Sequence, residues 1–250
     1  MLGRELTCEI RETIWLTPTV ARIKFAPSRS IHFEPGQFIS VKVPDPKSAD
    51  GFVKRAYSLA STNRPADACF EICVKLVEGG KGSTYLTSLR VGDRFKATAP
   101  FGDFYFETPP ERIACFVCTG TGIAPFKSMV ESPLFSESGP AQSLLVLGVR
   151  DENEILYRDE FETKGVEVIH ALSVPSKAWR GFRGRVTDYL ASLPSSWVWK
   201  SVDFYLCGNG KMVNEVRDYL VEHRKVQPQY IRQEVYFTPS EHRVRQGNAA

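Results

Sequence analysis

The chain has 250 residues, of which 42% are hydrophobic and 24% charged, and its formal net charge is +3 at pH 7. This length allows one large domain or two ordinary ones. So small a net charge gives no electrostatic reason to expect nucleic acid as a partner. The longest apolar run, "LLVLGV", is too short to span a bilayer, and the N-terminus has no signal-peptide pattern. We therefore expect a monomeric, cytoplasmic protein with no nucleic-acid or membrane partner.

The cysteine spacing predicts neither a disulfide nor a metal site. Cys69 and Cys73 lie in "ACFEICVKLV", which alternates like a strand, so they are expected roughly 13 Å apart. Cys115 and Cys118 are three residues apart on another predicted strand and would point to opposite faces. The chain also shows no ligand spacing typical of an iron–sulfur cluster.

Residues 1–107 read as short strands separated by turns. The segments "ELTCEIRETIWL", "TVARIKFAP", "PGQFISVKVP", "RAYSLAST", "ACFEICVKLV" and "DRFKATAP" predict six strands. One helix, "STYLTSL", is opened by glycines at 80 and 82. This pattern indicates a six-stranded antiparallel β-barrel, and the two prolines of "ETPPER" mark a boundary that gives domains 1–107 and 108–250.

After that boundary, strands and helices alternate. The predicted strands are 112–118, "SLLVLGV", "VEVIHALS", "VDFYLCG" and "QYIRQEVYF". The predicted helices are 123–131, "EILYRDEFE", "VTDYLAS" and "KMVNEVRDYLVEH". The pattern is typical of a Rossmann-like α/β domain with a parallel five-stranded sheet. Ligands bind such sheets at the carboxyl ends of the strands, where we expect loops 119–125, 173–185 and 207–211.

Three polar clusters have the chemistry of a nucleotide site. "GTGIAP" at 120–125 predicts a tight turn into a helix whose free N–H groups attract phosphate. "RAYS" at 55–58 provides a cation, an aromatic ring and a hydroxyl, and "GGKGSTYL" at 79–86 predicts another helix start suited to an anion. Each cluster alone is also compatible with an exposed strand or an ordinary capped helix.

In this order the motifs resemble those of the ferredoxin–NADP(+) reductase superfamily, in particular its stand-alone bacterial ferredoxin or flavodoxin reductases. The family's R-x-Y-S motif matches residues 55–58, and its G-x-x-S motif matches 80–83. Its G-T-G-I-A-P motif stands intact at 120–125, and its C-G-x-x-x-M motif is "CGNGKM" at 207–212. The resemblance covers residues 5–237 and implies an FAD-binding barrel followed by an NADP-binding α/β domain.

The resemblance also implies roles for individual residues. The implied catalytic residues are Ser58, Cys207 and Glu234: a hydrogen bond to the flavin, a thiol at the nicotinamide, and an acid that orients the ring or relays protons. The implied FAD-binding residues are Arg55, Tyr57, Ser58, Gly80, Gly82, Ser83, Thr84 and Tyr236. The implied nucleotide-binding residues are Gly120, Thr121, Gly122, Ile123, Pro125, Gly208 and Met212. Whether Tyr236 or Phe237 covers the flavin is left open.

The choice between NADP(H) and NAD(H) depends on the loop "LSVPSKAWRGFRGRV". Ser173 fits the family's first phosphate contact, but Val174 stands where an arginine is common. Arg180, Arg183 and Arg185 offer other cations for a 2′-phosphate, and no acidic residue lies between Ser173 and Arg185. We therefore expect NADP(H).

The resemblance implies a flavoenzyme that passes electrons between NADP(H) and a separate carrier, ferredoxin or flavodoxin. The alternative is an NADH-dependent reductase component of an oxygenase system.

Overall fold

The computed structural model describes residues 3–66 and 68–236. By its internal contacts the chain divides into two compact units. The first contains the chain up to Glu107 together with Ala124–Ser138, and the second contains Thr108–Ile123 together with the chain from Gly139 onward. The helix after the glycine loop is thus grouped with the first unit, whereas the sequence boundary assigns it to 108–250.

The first unit is built on a six-stranded antiparallel sheet, as the sequence predicted. Its strands are β1 (Arg4–Thr17), β2 (Val20–Pro27), β3 (Phe38–Pro44), β4 (Phe52–Ser58), β5 (Phe70–Lys75) and β6 (Arg94–Phe101). They are ordered β4-β3-β6-β1-β2-β5. The edge strands approach each other just beyond the end of β4, where Leu59 pairs with Ile72 in an isolated antiparallel bridge. This bridge closes the sheet around an apolar interior.

Strand alternation explains that interior. Leu6, Cys8 and Ile10 are buried at every second position of β1, while the residues between them are more exposed. They join one core cluster with residues from β2, β3, β5 and β6, including Ile23, Phe25 and Phe95. Val53 and Tyr57 of β4 are partly buried and pack against it. The unit's helices are α1 (Lys81–Ser88), α2 (Ala124–Val130) and α3 (Pro133–Ser138).

The second unit carries the predicted parallel five-stranded sheet. Its strands are β7 (Ile113–Thr119), β8 (Gln142–Val149), β9 (Glu167–Leu172), β10 (Val202–Asn209) and β11 (Ile231–Tyr236), ordered β11-β10-β7-β8-β9. Central strands β7 and β10 are nearly continuous apolar runs, as expected for strands covered on both faces. Helices α4 (Val186–Ser192) and α5 (Gly210–Asp218) pack into one core cluster with this sheet, and α5 continues as a π-helical segment, Tyr219–His223.

One predicted helix is wrong. Residues 154–162 form no α-helix, and the connection from β8 to β9 has only 3-10 turns at Glu152–Glu154 and Glu162–Lys164. Three consecutive residues in it, Ile155, Leu156 and Tyr157, are all buried, which a helix with one buried face cannot achieve. Tyr157 also has φ +50°, outside the right-handed helical region.

The described residues contain no helix with the length and apolar character needed to cross a bilayer.

A close backbone approach at Gly36 predicts a stability effect. Gly36 has φ +108°, and an added Cβ would lie 2.0 Å from the Phe104 carbonyl oxygen and 2.6 Å from Met129 Cε. Gly36→Ala should lower the free energy of unfolding by more than ~2 kcal/mol, because overpacking adds to backbone strain. Chemical denaturation followed by circular dichroism measures this.

Gly92→Ala is the matched control, since Gly92 has φ +92° but no atom within 4 Å of an added Cβ. It should cost only the strain, about 1 kcal/mol. Equal losses in the two variants would show that the contact with Phe104 carries no stability.

Candidate active site

The first candidate cradle lies where the start of α1 meets β4. A Cβ added to Gly82 would lie 2.6 Å from Tyr57 Oη and 2.8 Å from Arg55 Cγ. The backbone at the start of α1 therefore packs directly on the two side chains of the R-x-Y-S motif, and only glycine permits that distance. The structure thus brings together two motifs that are separated by more than twenty residues in the sequence.

The N–H groups of this helix start are available to an anion. The first helical backbone bond runs from the Thr84 N–H to the Gly80 carbonyl, so the N–H groups of residues 81–83 precede the helical ladder. The Ser83 hydroxyl, by contrast, donates to the Gly80 carbonyl at 3.2 Å and accepts from the Val77 N–H at 3.1 Å. Ser83 thereby folds the loop, and its side chain is occupied by backbone groups.

The charges around this cradle are partly neutralised. Arg55 is exposed, and its guanidinium donates to the Lys54 carbonyl at 2.7 Å. Lys81 forms an ion pair with the largely buried Asp45, and this hydrogen bond lowers the pKa of Asp45. Burial raises the pKa of Tyr57 to about 12 against the opposing charge of Arg55, so its phenol stays protonated at neutral pH. Ser58 ends β4 and is 6% exposed.

In the second unit, two loops interlock through glycines. A Cβ on Gly122 would lie 2.4 Å from the Cys207 carbonyl oxygen, and one on Gly208 would lie 2.6 Å from Thr119 Oγ1. The Asn209 N–H donates to that same hydroxyl at 3.2 Å. The predicted tight turn at 120–123 is a 3-10 turn, and α2 begins at Ala124. Thr121 is half-buried, while Ile123 and Pro125 are buried.

The structure also brings Cys207 and Glu234 together. They are register partners in the parallel pair β10 and β11, and Asn209 is likewise opposite Tyr236. Cys207 is fully buried, and burial raises the pKa of its thiol well above the usual value. The Glu234 carboxylate raises it further, and a hydrogen bond from the Tyr236 hydroxyl to the sulfur opposes this. The thiol is therefore a protonated, neutral group at physiological pH.

A cavity of about 250 Å³ opens at the carboxyl ends of the parallel strands. Its lining includes Thr119 at the end of β7, Ser173 after β9 and Met212 on α5, together with the cations Arg185 and Lys211. Ser173, Arg185 and Met212 were predicted from the sequence as binding residues. Lys211 was missed, although it stands inside the "CGNGKM" motif.

Two other predicted cations lie elsewhere. The Arg183 guanidinium donates to the carbonyls of Ser176 at 2.8 Å and Trp179 at 2.9 Å. It therefore folds its own loop. Arg180 is exposed and does not line the cavity.

An acidic residue that no sequence motif indicated accepts hydrogen bonds from this same loop. Glu152, from the turn after β8, accepts hydrogen bonds from the Ser176 hydroxyl at 2.6 Å and the Ser176 N–H at 3.1 Å. These bonds and the nearby charge of Arg183 lower the pKa of Glu152. No sequence signal pointed to it, because it comes from a different loop.

The residue choices fit a flavin nucleotide in the first unit and a second nucleotide in the other. In both places a missing side chain lets backbone N–H groups approach, and a cation stands nearby, as phosphate binding requires. Phe237, the other candidate for covering the flavin, lies outside the described residues, as does the rest of the tail.

Comparisons with known proteins agree with this arrangement. The Oxidoreductase FAD-binding domain family matches residues 7–106, and the Oxidoreductase NAD-binding domain family matches residues 116–218. A protein of Sorangium cellulosum named Ferredoxin--NADP reductase B is 36% identical over 215 residues, covering 81% of this chain and 86% of that protein. The chain therefore belongs to the ferredoxin–NADP(+) reductase family and is an FAD- and NAD(P)-binding oxidoreductase.

Other relatives are named for a hydroxylase and a cytochrome P450. The Phenol hydroxylase P5 protein of Acinetobacter pittii is 30% identical over 84% of this chain, which spans only 59% of that relative. The crystal structure of an Amycolatopsis cytochrome P450 reductase matches with a TM-score of 0.78 at 27% identity. The match covers 93% of this chain and 70% of that one.

The packing at Gly82 predicts a loss of flavin affinity. Gly82→Ala should weaken FAD binding by about tenfold or more, because its methyl group displaces the Tyr57 ring or the start of α1. Titration of flavin-free protein with FAD, followed by quenching of flavin fluorescence, measures the dissociation constant.

Gly51→Asn is the control in the same unit. Gly51 has φ +72° with open space around it, and asparagine tolerates that conformation. It should leave FAD affinity unchanged. If Gly82→Ala also binds FAD as tightly as the wild type, the cradle at the start of α1 is not the FAD site.

Proposed function

We propose that the chain passes electrons between NADP(H) and a one-electron carrier, ferredoxin or flavodoxin, by hydride transfer to FAD. The observation that carries this proposal is the pairing of a neutral buried thiol, Cys207, with the Glu234 carboxylate beside the glycine loop at 120–123. That combination suits a nicotinamide ring better than it suits a purely structural nucleotide. The 36% identical relative, of whose length the chain covers most, supports the same activity.

Bound flavin would supply the chemistry, since it accepts a hydride and can release electrons singly. The chain's own task is to hold and orient. Tyr57 offers a half-buried ring with a protonated phenol, and Ser58 offers a hydroxyl at the end of β4. Arg55 and the N–H groups of residues 81–83 would hold the diphosphate, with Gly82 allowing its approach.

On the nucleotide side, Cys207 would contact the reacting carbon of the nicotinamide without competing as a nucleophile, because its thiol stays protonated. Glu234 would orient the nicotinamide ring or relay protons. Residues 120–123 would hold the nucleotide diphosphate at the carboxyl end of β7.

We assign recognition of the 2′-phosphate of NADP(H) to the cavity at the carboxyl ends of the parallel strands. Arg185 and Lys211 line it together with Ser173, and two cations with a hydroxyl suit the charge and the acceptor oxygens of a phosphate monoester. Lys211 also lies 3.7 Å from Glu215, but its side chain is 74% exposed and free to turn. Arg183 has a different role, since three carbonyls hold it.

A second candidate is an NADH-dependent reductase component of an oxygenase system. The Glu152 carboxylate favours it, because an acid bonded to Ser176 places negative charge at the loop that a 2′-phosphate would approach. Val174 in place of an arginine and the oxygenase-linked relatives agree with this alternative.

One assay separates the two candidates. Reduction of a ferredoxin, a flavodoxin and an artificial dye should be measured with NADPH and NADH side by side. We expect kcat/KM to be at least about tenfold higher with NADPH than with NADH. NADH lacks the 2′-phosphate and therefore cannot form the charged contact. A preference for NADH with no reduction of ferredoxin or flavodoxin would favour the oxygenase alternative, and no flavin reduction by either nucleotide would refute both.

The two cations that line the cavity predict a second difference between NADPH and NADH. Arg185→Ala and Lys211→Ala should each raise the KM for NADPH about tenfold while changing the KM for NADH little. Steady-state kinetics with the dye measure both constants. Arg183→Ala is the matched control: it should affect both nucleotides alike, because its guanidinium holds loop backbone. Equal losses for NADPH and NADH in the Arg185 and Lys211 variants would remove both residues from 2′-phosphate recognition.

A further inference from the structure

A buried lysine lies at the centre of an ion cluster in the first unit. Lys127, on α2, is only 5% exposed. Its Nζ lies 2.7 Å from Glu131 Oε1, 3.1 Å from the Ala60 carbonyl oxygen and 3.5 Å from Glu71 Oε1. Three oxygens therefore surround one ammonium group away from water, which fixes its position closely.

Glu71 extends the cluster to the closure of the sheet. It is 3% exposed, and its second carboxylate oxygen lies 3.9 Å from Arg22 Nε. Its backbone N–H donates to Ser61 Oγ at 3.1 Å, and its carbonyl accepts from the Ala60 N–H at 2.8 Å. Glu71 and Lys127 together thus hold Ala60 through both its N–H and its carbonyl.

The segment held in this way directly follows Ser58. Leu59 forms the isolated bridge to Ile72, and its N–H donates to the Gln37 carbonyl at 3.0 Å. With Ala60 fixed as well, the backbone has little freedom after the last residue of β4. The backbone path from which the Ser58 side chain projects therefore depends on these bonds.

Stability alone does not call for charges here. Well-packed apolar residues often replace a buried ion pair without loss of stability. A lysine that donates to a main-chain carbonyl instead fixes the position of that carbonyl group. Its hydrogen bonds form only over a narrow range of distances and angles.

We propose that Lys127 is a positioning residue for hydride transfer: through Ala60 and Glu71 it fixes the backbone after Ser58, and so aims the Ser58 hydroxyl at the flavin. This inference rests on the proposed flavin role of Ser58. Lys127 itself touches neither reacting group, and its effect passes through the main chain of residues 59–61.

The test compares Lys127→Met, which keeps the length of the side chain, with Lys127→Arg, which keeps its charge. Lys42→Met is the control, since Lys42 also pairs with a carboxylate, Glu5, but on the surface of the same sheet. The first readout is amide hydrogen exchange at Leu59 and Ala60 in flavin-free and FAD-loaded protein. The second is the single-turnover rate of flavin reduction at saturating nucleotide, with the KM measured separately.

We expect Lys127→Met to speed exchange at Ala60 by about tenfold or more and to slow flavin reduction about tenfold to a hundredfold at unchanged KM. Lys127→Arg should recover most of both effects, and Lys42→Met should change neither. A wild-type exchange rate and a wild-type reduction rate in Lys127→Met would overturn the proposal. So would equal effects in Lys127→Met and Lys42→Met.

If Lys127→Met yields no folded protein, Glu131→Gln is the second variant, because it weakens the cluster while keeping its size. It should change exchange and reduction in the same directions by smaller factors, and wild-type values for both would overturn the proposal. Failure of the proposed function looks different. In that case the wild type itself shows no flavin reduction by NADPH or NADH, while exchange at Ala60 still reports on the lysine.

Discussion

The carbonyl group of Cys207 leaves no room for a side chain at position 122, and the nucleotide side of the second unit depends on this contact. An added Cβ would lie 2.4 Å from that oxygen, well inside van der Waals distance. Gly208 meets Thr119 in the same way from the opposite loop. The carboxyl ends of β7 and β10 are thereby held together, and Cys207, Glu234 and the turn at 120–123 come to one edge of the sheet. The same principle operates at Gly82, where main chain meets the Tyr57 ring.

Much of this architecture follows from patterns in the sequence. The series of short strands before residue 108 predicted an antiparallel sheet, and the alternation of strands and helices after it predicted a parallel one. The glycine motifs predicted where backbone approaches closely. These features depend on residues that are close together in the chain, so the sequence pattern alone predicts them. The family resemblance implied that Cys207 and Glu234 both act at the nicotinamide. Their pairing in register was not predicted, since register between distant strands is not a local property.

The errors and omissions also have physical causes. Residues 154–162 have helix-forming composition, but burying Ile155, Leu156 and Tyr157 together outweighs their helical preference. Arg183 looked available for phosphate because a sequence does not show which carbonyls a guanidinium will meet. Glu152 was overlooked because it reaches the loop at Ser176 from twenty-four residues earlier in the chain. Each case turns on a tertiary contact that no spacing rule predicts.

The charged groups near the two cradles are largely compensated by the chain itself. Asp45 pairs with Lys81, Glu215 lies near Lys211, and carbonyl groups hold Arg183. In the proposed function, the attraction for a diphosphate would then come mainly from backbone N–H groups at turns and helix starts, supplemented by single cations such as Arg55 and Arg185. This agrees with a net charge of only +3 on a chain that binds two highly anionic nucleotides.

If Cys207 contacts the nicotinamide as proposed, its environment would keep the thiol from taking part in side reactions. A thiolate is the form that is alkylated and oxidised, and both burial and the Glu234 carboxylate raise the pKa of this thiol. The carboxylate at that position helps to keep the neighbouring sulfur protonated, and in the proposed function it would also supply a charge for orienting the ligand. The hydrogen bond from Tyr236 works in the opposite direction on the pKa, but it also fixes where the sulfur lies. A fixed, neutral and polarisable atom is what close contact with a flat aromatic ring requires.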